Sequence, residues 1–235
     1  MRKTFRQTFP ENGKVFLPVI HINQDLDQTL INTAIASCAE ADGIFLIDHQ
    51  ADTMRLQLHY SKVRSIYPNL WIGLNFLGQT ADRAFRLCDS HVNGVWADEH
   101  FINETTITQA AAERISRARL LGDSDAIFFG SIGFKYQPLI GDLAQACRLA
   151  LPYVDVLTTS GPATGQAPDV SKMALIRETV GQNFPVALAS GVMPENVKSF
   201  LPFTDCFLVA TGISKNFHEL DPIKTIELSR LIHAG

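Results

Sequence analysis

Eight short apolar runs divide the chain. They are Val15–Ile22 (VFLPVIHI), Gly43–His49 (GIFLIDH), Leu70–Phe76 (LWIGLNF), Val92–Asp98 (VNGVWAD), Asp125–Gly133 (DAIFFGSIG), Val154–Gly161 (VDVLTTSG), Phe184–Val192 (FPVALASGV) and Asp205–Ile213 (DCFLVATGI). Apolar character within each is nearly continuous, as in strands covered on both faces of a parallel sheet. Their starts recur on average about every 27 residues, which leaves room for a helix after each strand. In the first interval Leu26, Leu30, Ile31, Ala34, Ile35 and Cys38 stand at i, i+4, i+5, i+8, i+9 and i+12, one apolar helical stripe. Helix starts are expected at Asp169 before VSKMALIRETV, at Pro194 in PENVKSFL, and at Asp221-Pro222 in DPIKTIELSRLIHA. With no linker or low-complexity stretch, this alternation predicts a single (β/α)8 TIM barrel over residues 1–235, with 1–14 as an N-terminal extension. A doubly wound sheet is the competing arrangement. It would show fewer strands and a G-x-G-x-x-G turn after the first, where this chain has His21-Ile22-Asn23-Gln24.

Composition narrows the function classes. Among 235 residues, 24 acidic against 20 basic side chains give a formal charge of −4. That balance argues against a general nucleic-acid backbone binder, which needs a basic excess. No apolar run reaches the roughly 18 residues of a membrane span. The opening MRKTFRQTFPENGK has no following apolar segment, so no secretory signal is expected. Cys38, Cys88, Cys147 and Cys206 are isolated, which reads as small buried residues of a reduced, cytoplasmic protein.

In a barrel, chemistry belongs at the C-terminal ends of the strands. Those ends present His21, Asp48, Asn75, Asp98 and, just past the fifth strand, Lys135. Asp48 and Asp98 are candidate general acid and base, and a desolvated Lys135 is a candidate base or Schiff-base amine. The plain alternatives are a hydrogen-bonded structural aspartate, an exposed loop lysine, and a satisfied core histidine at position 21. Three glycine-bearing turns follow strands six to eight: Ser160-Gly161-Pro162-Ala163-Thr164-Gly165, Ser190-Gly191-Val192 and Ala210-Thr211-Gly212-Ile213-Ser214. Glycines admit close approach of backbone N–H groups to an anion, and a phosphate beside the seventh and eighth loops recurs in barrels. The candidate phosphate and substrate set is therefore His21, Asn75, Thr159, Gly161, Thr164, Gly165, Ser190, Gly191, Thr211, Gly212 and Lys215. The competing reading is that these glycines only make tight strand-to-helix turns. No cofactor is called for. His49, Asp98 and His100 are the conceivable ligands of a divalent ion, without the compact spacing of a metal motif.

The segments TTSGPATGQAPD, PVALASGVMPENV and DCFLVATGISKN with a following DP resemble the C-terminal pattern of the BtpA/SgcQ family. LWIGLNFLGQTADRAFRLCDSHVNGVWADE and FFGSIGFKYQPLIGDL resemble its middle segments, Lys135 standing at the lysine of the latter. Two features depart from that pattern. VIHINQDLDQ lacks a P-L-P-G loop after the first strand, and Asp48-His49 replaces an acidic-Asn pair. The resemblance implies a ribulose-phosphate-binding-like barrel. Relatives are linked to photosystem I biogenesis or lie beside sugar-utilisation functions.

Two functions follow as expectations. One is an enzyme acting on a small phosphorylated sugar or phosphoribosyl compound, as isomerase, aldolase or transferase. The other is a non-catalytic assembly factor or phospho-ligand sensor that binds phosphate and turns nothing over. A small phosphorylated molecule is the expected partner, and self-association into a homo-oligomer is the general habit of such barrels.

Overall fold

The computed structural model describes residues 4–9, 13–122 and 124–235. The elements run α1 (Phe5–Thr8), β1 (Val15–Ile22), α2 (Leu26–Cys38), β2 (Ile44–Asp48), α3 (Thr53–Ile66), β3 (Ile72–Asn75), α4 (Ala81–Leu87), β4 (Gly94–Ala97) and α5 (Ala110–Leu121). They continue with β5 (Ile127–Ser131), α6 (Leu143–Ala150), β6 (Val156–Ser160), α7 (Val170–Val180), β7 (Val186–Ala189), β8 (Cys206–Val209), β9 (Ser214–Asn216), β10 (Glu219–Leu220) and α8 (Pro222–His233). Strands β1 to β8 pair in parallel in chain order, and β8 closes on β1, giving a (β/α)8 TIM barrel. Each predicted apolar run contains one of these strands.

Alternation along the strands sorts two cores. Leu17, Val19, Phe45, Ile47, Trp71, Trp96, Phe129, Ala187 and Leu208 pack within the barrel. Phe16, Ile20, Leu46, Leu74, Val95, Phe128, Leu157 and Phe207 pack outward against the helices. The interior is unusually aromatic on one side: Phe45 meets Trp71, Trp96 and Phe129 edge-on at centroid distances of 5.3, 5.7 and 5.1 Å. Gly73 and Gly94 make room for these rings. A Cβ at Gly73 would lie 2.3 Å from Phe45, and one at Gly94 2.5 Å from Trp71.

The expected N-terminal extension has a definite place. Residues 1–3 and 10–12 lie outside the described residues. Helix α1 closes the lower end of the barrel, with Phe5 6.3 Å from Phe129 and Phe9 5.3 Å from Trp71. The strand starts at that end are clamped by polar side chains. Asp42, Asn93, Asp155 and Asp205 accept the amides of Phe16, Ile72, Phe128 and Val186. Arg64, Arg119 and Arg177 back the last three of these acceptors.

Three local expectations need correction. Helix α2 buries Thr29, Asn32, Thr33 and Ala36, whereas Ile31 and Cys38 of the predicted stripe are exposed. The polar residues win the inward face because each has a partner: Thr29 Oγ1 meets His59 Nδ1 at 2.9 Å and Thr33 donates to the Thr29 carbonyl. The segment opened by Pro194 forms only two 3-10 turns, Val197–Ser199 and Leu201–Phe203. Of the cysteines, Cys147 and Cys206 are buried, Cys88 is partly covered, and Cys38 is exposed. Among the described residues no helix is long and apolar enough to cross a membrane.

Candidate functional site

At the C-terminal end of the barrel lies a cavity of about 270 Å³. Val19, Ile47, Trp96 and Leu208 form its apolar floor, and His21, His49, Asp98, Lys135, Ser190 and Thr211 stand around it. Strand parity decides which residues reach it. His21 and Asp98 continue the inward-facing series and line the cavity; Asn75 shares that parity but is fully buried and off the cavity lining, while Asp48 follows Ile47 on β2 and faces the helices.

Asp48 is accordingly absent from the cavity wall. It is buried and gripped by Arg55, whose Nε and Nη2 donate to the two carboxylate oxygens at 2.6 and 2.9 Å, and it also accepts the Gln50 amide at 2.8 Å. The structure thus separates the two candidate carboxylates, Asp48 outside the cavity and Asp98 on its wall. Thr159 is likewise on the outer side, donating to the Gly133 carbonyl at 3.4 Å.

Asp98 and Lys135 remain together on the cavity wall. Asn75 Nδ2 donates to Asp98 Oδ1 at 3.2 Å, and the buried Asn75 Oδ1 has no hydrogen-bond partner among the described residues. Burial pushes the Asp98 carboxyl above the ordinary carboxylate range, against the opposing pull of the Asn75 hydrogen bond and the Lys135 charge. Burial lowers the Lys135 ammonium, with Asp98 opposing. Lys135 Nζ donates to Thr164 Oγ1 at 3.4 Å, and its backbone N–H donates to Ser160 Oγ at 2.8 Å. Gln137, which no local signal in the sequence singles out, fastens this loop: its Nε2 donates to the carbonyls of Asp98 and Ser131 at 2.9 and 3.2 Å.

The opposite rim is aromatic and rests on the β9–β10 hairpin, which carries no local signal in the sequence. Phe217 at its tip packs on His21 at 4.3 Å and on His49 at 4.9 Å, and the two imidazoles lie 4.5 Å apart. Asn32 anchors the hairpin by donating to the His218 carbonyl and accepting the Leu220 amide. His21 is 9% exposed and its Nδ1 lies 3.1 Å from the Phe217 carbonyl, so Nδ1 carries the proton and Nε2 the lone pair. Burial, then the neighbouring His49, lowers its pKa to about 3. His49 is lowered too, through burial and the Lys135 charge.

The glycine turns have a structural explanation. A Cβ at Gly161 would lie 2.0 Å from the Gln166 carbonyl oxygen, at Gly191 2.0 Å from the Ala167 nitrogen, and at Gly212 1.9 Å from the Val192 carbonyl oxygen. These glycines therefore let the loops after β6, β7 and β8 stack backbone on backbone. Gly165 sits at φ +77°, where a Cβ would touch Thr211 Oγ1 at 3.6 Å. Ser190 and Thr211 do line the cavity, and the backbone N–H groups of Gly191 and Val192 have no acceptor among the described residues. Ser190 holds φ +79° without being glycine, as does Tyr136 at +63° on the same cavity. Such conformations cluster at functional sites. Asn196 pins the turn after β7 by accepting the Met193 amide and donating to the Gly191 carbonyl. Lys215 is exposed and off the cavity wall, paired with Glu219 at 2.8 Å within the hairpin.

The BtpA family model matches residues 70–234. The chain belongs to the BtpA family. The matched region holds Asn75, Asp98, Lys135, Thr164, Ser190 and Thr211, while His21, Asp48 and His49 precede it. An uncharacterized protein of Thermococcus kodakarensis is 28% identical over 112 residues, 47% of this chain and 42% of that relative, so less than half of the relative's length is matched. Among solved structures, (S)-3-O-geranylgeranylglyceryl phosphate synthase from Thermoplasma acidophilum, in complex with sn-glycerol-1-phosphate, superposes with a TM-score of 0.64. It is 13% identical and the match covers 98% of this chain and 96% of that one. Phosphoribosyl anthranilate isomerase from Thermus thermophilus gives 0.60 at 14% identity, covering 92% and 96%. Thiamine phosphate pyrophosphorylase from Pyrococcus furiosus gives 0.63 at 14% identity, covering 94% and 96%. At these identities the likeness of this BtpA-family chain to those enzymes is one of fold.

Proposed function

We propose that this BtpA-family barrel is an enzyme for a small phosphorylated, sugar-like substrate. The observation that carries the reading is one cavity with Asp98 and Lys135 on its wall and the turns of Ser190 and Thr211 on its rim. The Thr211 hydroxyl on the cavity wall supplies a donor for a phosphate, as does the Ser190 hydroxyl once it releases the Gln166 carbonyl, with the amides of Gly191 and Val192, which have no acceptor among the described residues, in the turn behind them. The three similar barrels, whose names each carry a phosphorylated compound, support the same class.

With the phosphate there, the reactive carbons lie over the floor beside Asp98 and Lys135. The desolvated Lys135 amine removes a proton from the carbon next to a carbonyl. Asp98, whose pKa burial raises, donates a proton to the carbonyl oxygen to give the enediol; the Lys135 ammonium then returns its proton to the former carbonyl carbon while the Asp98 carboxylate takes the proton of the other enediol hydroxyl, which restores both side chains. His21 Nε2 accepts a hydrogen bond from a substrate hydroxyl. In the aldolase variant of the reading the same Lys135 amine instead attacks the carbonyl carbon and forms a Schiff base with loss of water.

The test is a thermal-shift screen against inorganic phosphate and C3–C6 sugar phosphates, repeated with Thr211→Glu, Asp98→Asn and Lys135→Met. A ligand at 100 times its Kd stabilises the fold by about 2.7 kcal/mol. One sugar phosphate is expected to shift the wild type more than phosphate does, with the shift lost in Thr211→Glu. Turnover of that compound is expected to vanish in Asp98→Asn and Lys135→Met. Binding without turnover would identify a phospho-ligand sensor, and no shift with any phosphate would overturn the reading.

A further inference from the structure

Beside the barrel mouth is a second hollow, of about 420 Å³, between the loop after β5 and the loop after β6. It shares Lys135 and Tyr136 with the barrel cavity, so these two side chains form the wall between the chambers. Its remaining lining is largely apolar: Phe134, Leu139, Ile140, Pro162 and Pro168. Leu139 is fully exposed, with no protein surface covering it. Three of the residues on this stretch, counting Pro138, are prolines, so the hollow is walled by stiff backbone.

The hollow also holds a built charge. Lys172 lines it, and Lys172 Nζ donates to the carbonyls of Gly133 and Ser160 at 2.6 and 2.7 Å. An ammonium has three donors, so one N–H is left without an acceptor among the described residues. No carboxylate forms an ion pair with Lys172 among the described residues. Asp169 also lines the hollow, as an exposed residue at the start of α7. A partly buried cation fixed by two dipoles and facing apolar walls is complementary to an apolar group that ends in a carboxylate.

We infer that the substrate has two arms: a phosphate held at the barrel mouth, and an apolar arm ending in a carboxylate that passes Tyr136 into this hollow and meets Lys172. The inference rests on the proposed phosphate-dependent reading and adds the chemistry of the second arm. The barrel cavity alone, at about 270 Å³, is small for a ligand of that kind, and the adjoining hollow supplies the missing volume.

The experiment uses the whole chain and separates the arms. 2-Naphthoate probes the hollow, its neutral analogue 2-naphthamide tests the charge, and ribose 5-phosphate probes the mouth, all by calorimetric titration. Naphthoate is expected to bind about tenfold more tightly than the amide, and Lys172→Met is expected to erase that difference. Leu139→Asp, at an exposed position that does not support the fold, is expected to weaken naphthoate at least fivefold while leaving ribose 5-phosphate unchanged. Naphthoate and ribose 5-phosphate are expected to bind together. Equal affinity for acid and amide, naphthoate binding that is indifferent to Leu139→Asp, or competition with ribose 5-phosphate would overturn the second arm. Naphthoate binding as expected with no ribose 5-phosphate or phosphate binding would leave the hollow standing and fail the phosphate reading.

Discussion

Acidification should expose the cost of keeping His21 neutral. Its pKa is lowered from 6.5 to about 3 by burial, with His49 and Lys135 adding to the shift. The unfolded chain therefore takes up a proton near pH 6.5 that the folded chain refuses until about pH 3. Between those limits the unfolded state binds more protons, so stability falls as pH falls. Near pH 5 the shortfall is about 2 kcal/mol, from about 1.5 pH units at 1.36 kcal/mol each. For a chain of this size that corresponds to a melting temperature about 4–8 °C lower. His21→Asn removes the titration while keeping a donor where Nδ1 meets the Phe217 carbonyl at 3.1 Å. Urea denaturation of both proteins from pH 7 to pH 4.5 is the assay. The wild type should lose about 2 kcal/mol more than His21→Asn by pH 5. Parallel curves, or an NMR titration of His21 near its ordinary value, would refute the argument that burial controls this imidazole.

Three further outcomes follow from packing. Arg55→Met leaves Asp48 buried without its partner, so a loss of about 3–5 kcal/mol is expected in urea denaturation, partly restored by adding Asp48→Asn; the ligand shift should persist, because neither residue lines the cavity. Gly191→Ala combines φ +73° with a Cβ 2.0 Å from Ala167 and should cost about 3 kcal/mol or more. Gly181→Ala, at φ +76° with nothing within 4 Å, should cost only about 1–2 kcal/mol, so equal losses would refute the loop-stacking account. Phe5→Ala opens the lower end of the barrel, where Phe5 is 1% exposed, and should cost about 3–5 kcal/mol by the same assay.

The barrel was legible in the chain because its cause is local and repeated. A strand covered on both faces must be apolar throughout, so eight near-continuous apolar runs with helix-sized gaps lead to eight parallel strands. The same repetition pointed to the end that holds the candidate site, since polar residues such as His21, Asn75 and Asp98 stand where the runs stop. That very continuity hid the facing of individual side chains. In Ile44–Asp48 every position is buried, so no alternation of apolar and polar residues tells which face Asp48 takes; closure of the barrel turned it toward Arg55 and left His49 at the cavity. Helix α2 misled for a related reason: the apolar stripe identifies an inward face only when polar residues lack partners, and Thr29 and Asn32 find theirs in α3 and the β9–β10 hairpin. The glycines at 161, 191 and 212 needed the stacked loops to be understood. The meeting of Asp98 with Lys135, of His21 with Phe217, and of Lys172 with the hollow joins residues from different strands and loops. Local sequence determines which segments are buried; the closing of the sheet decides which buried and rim groups share one volume, because that depends on strand register and loop contact across the whole chain.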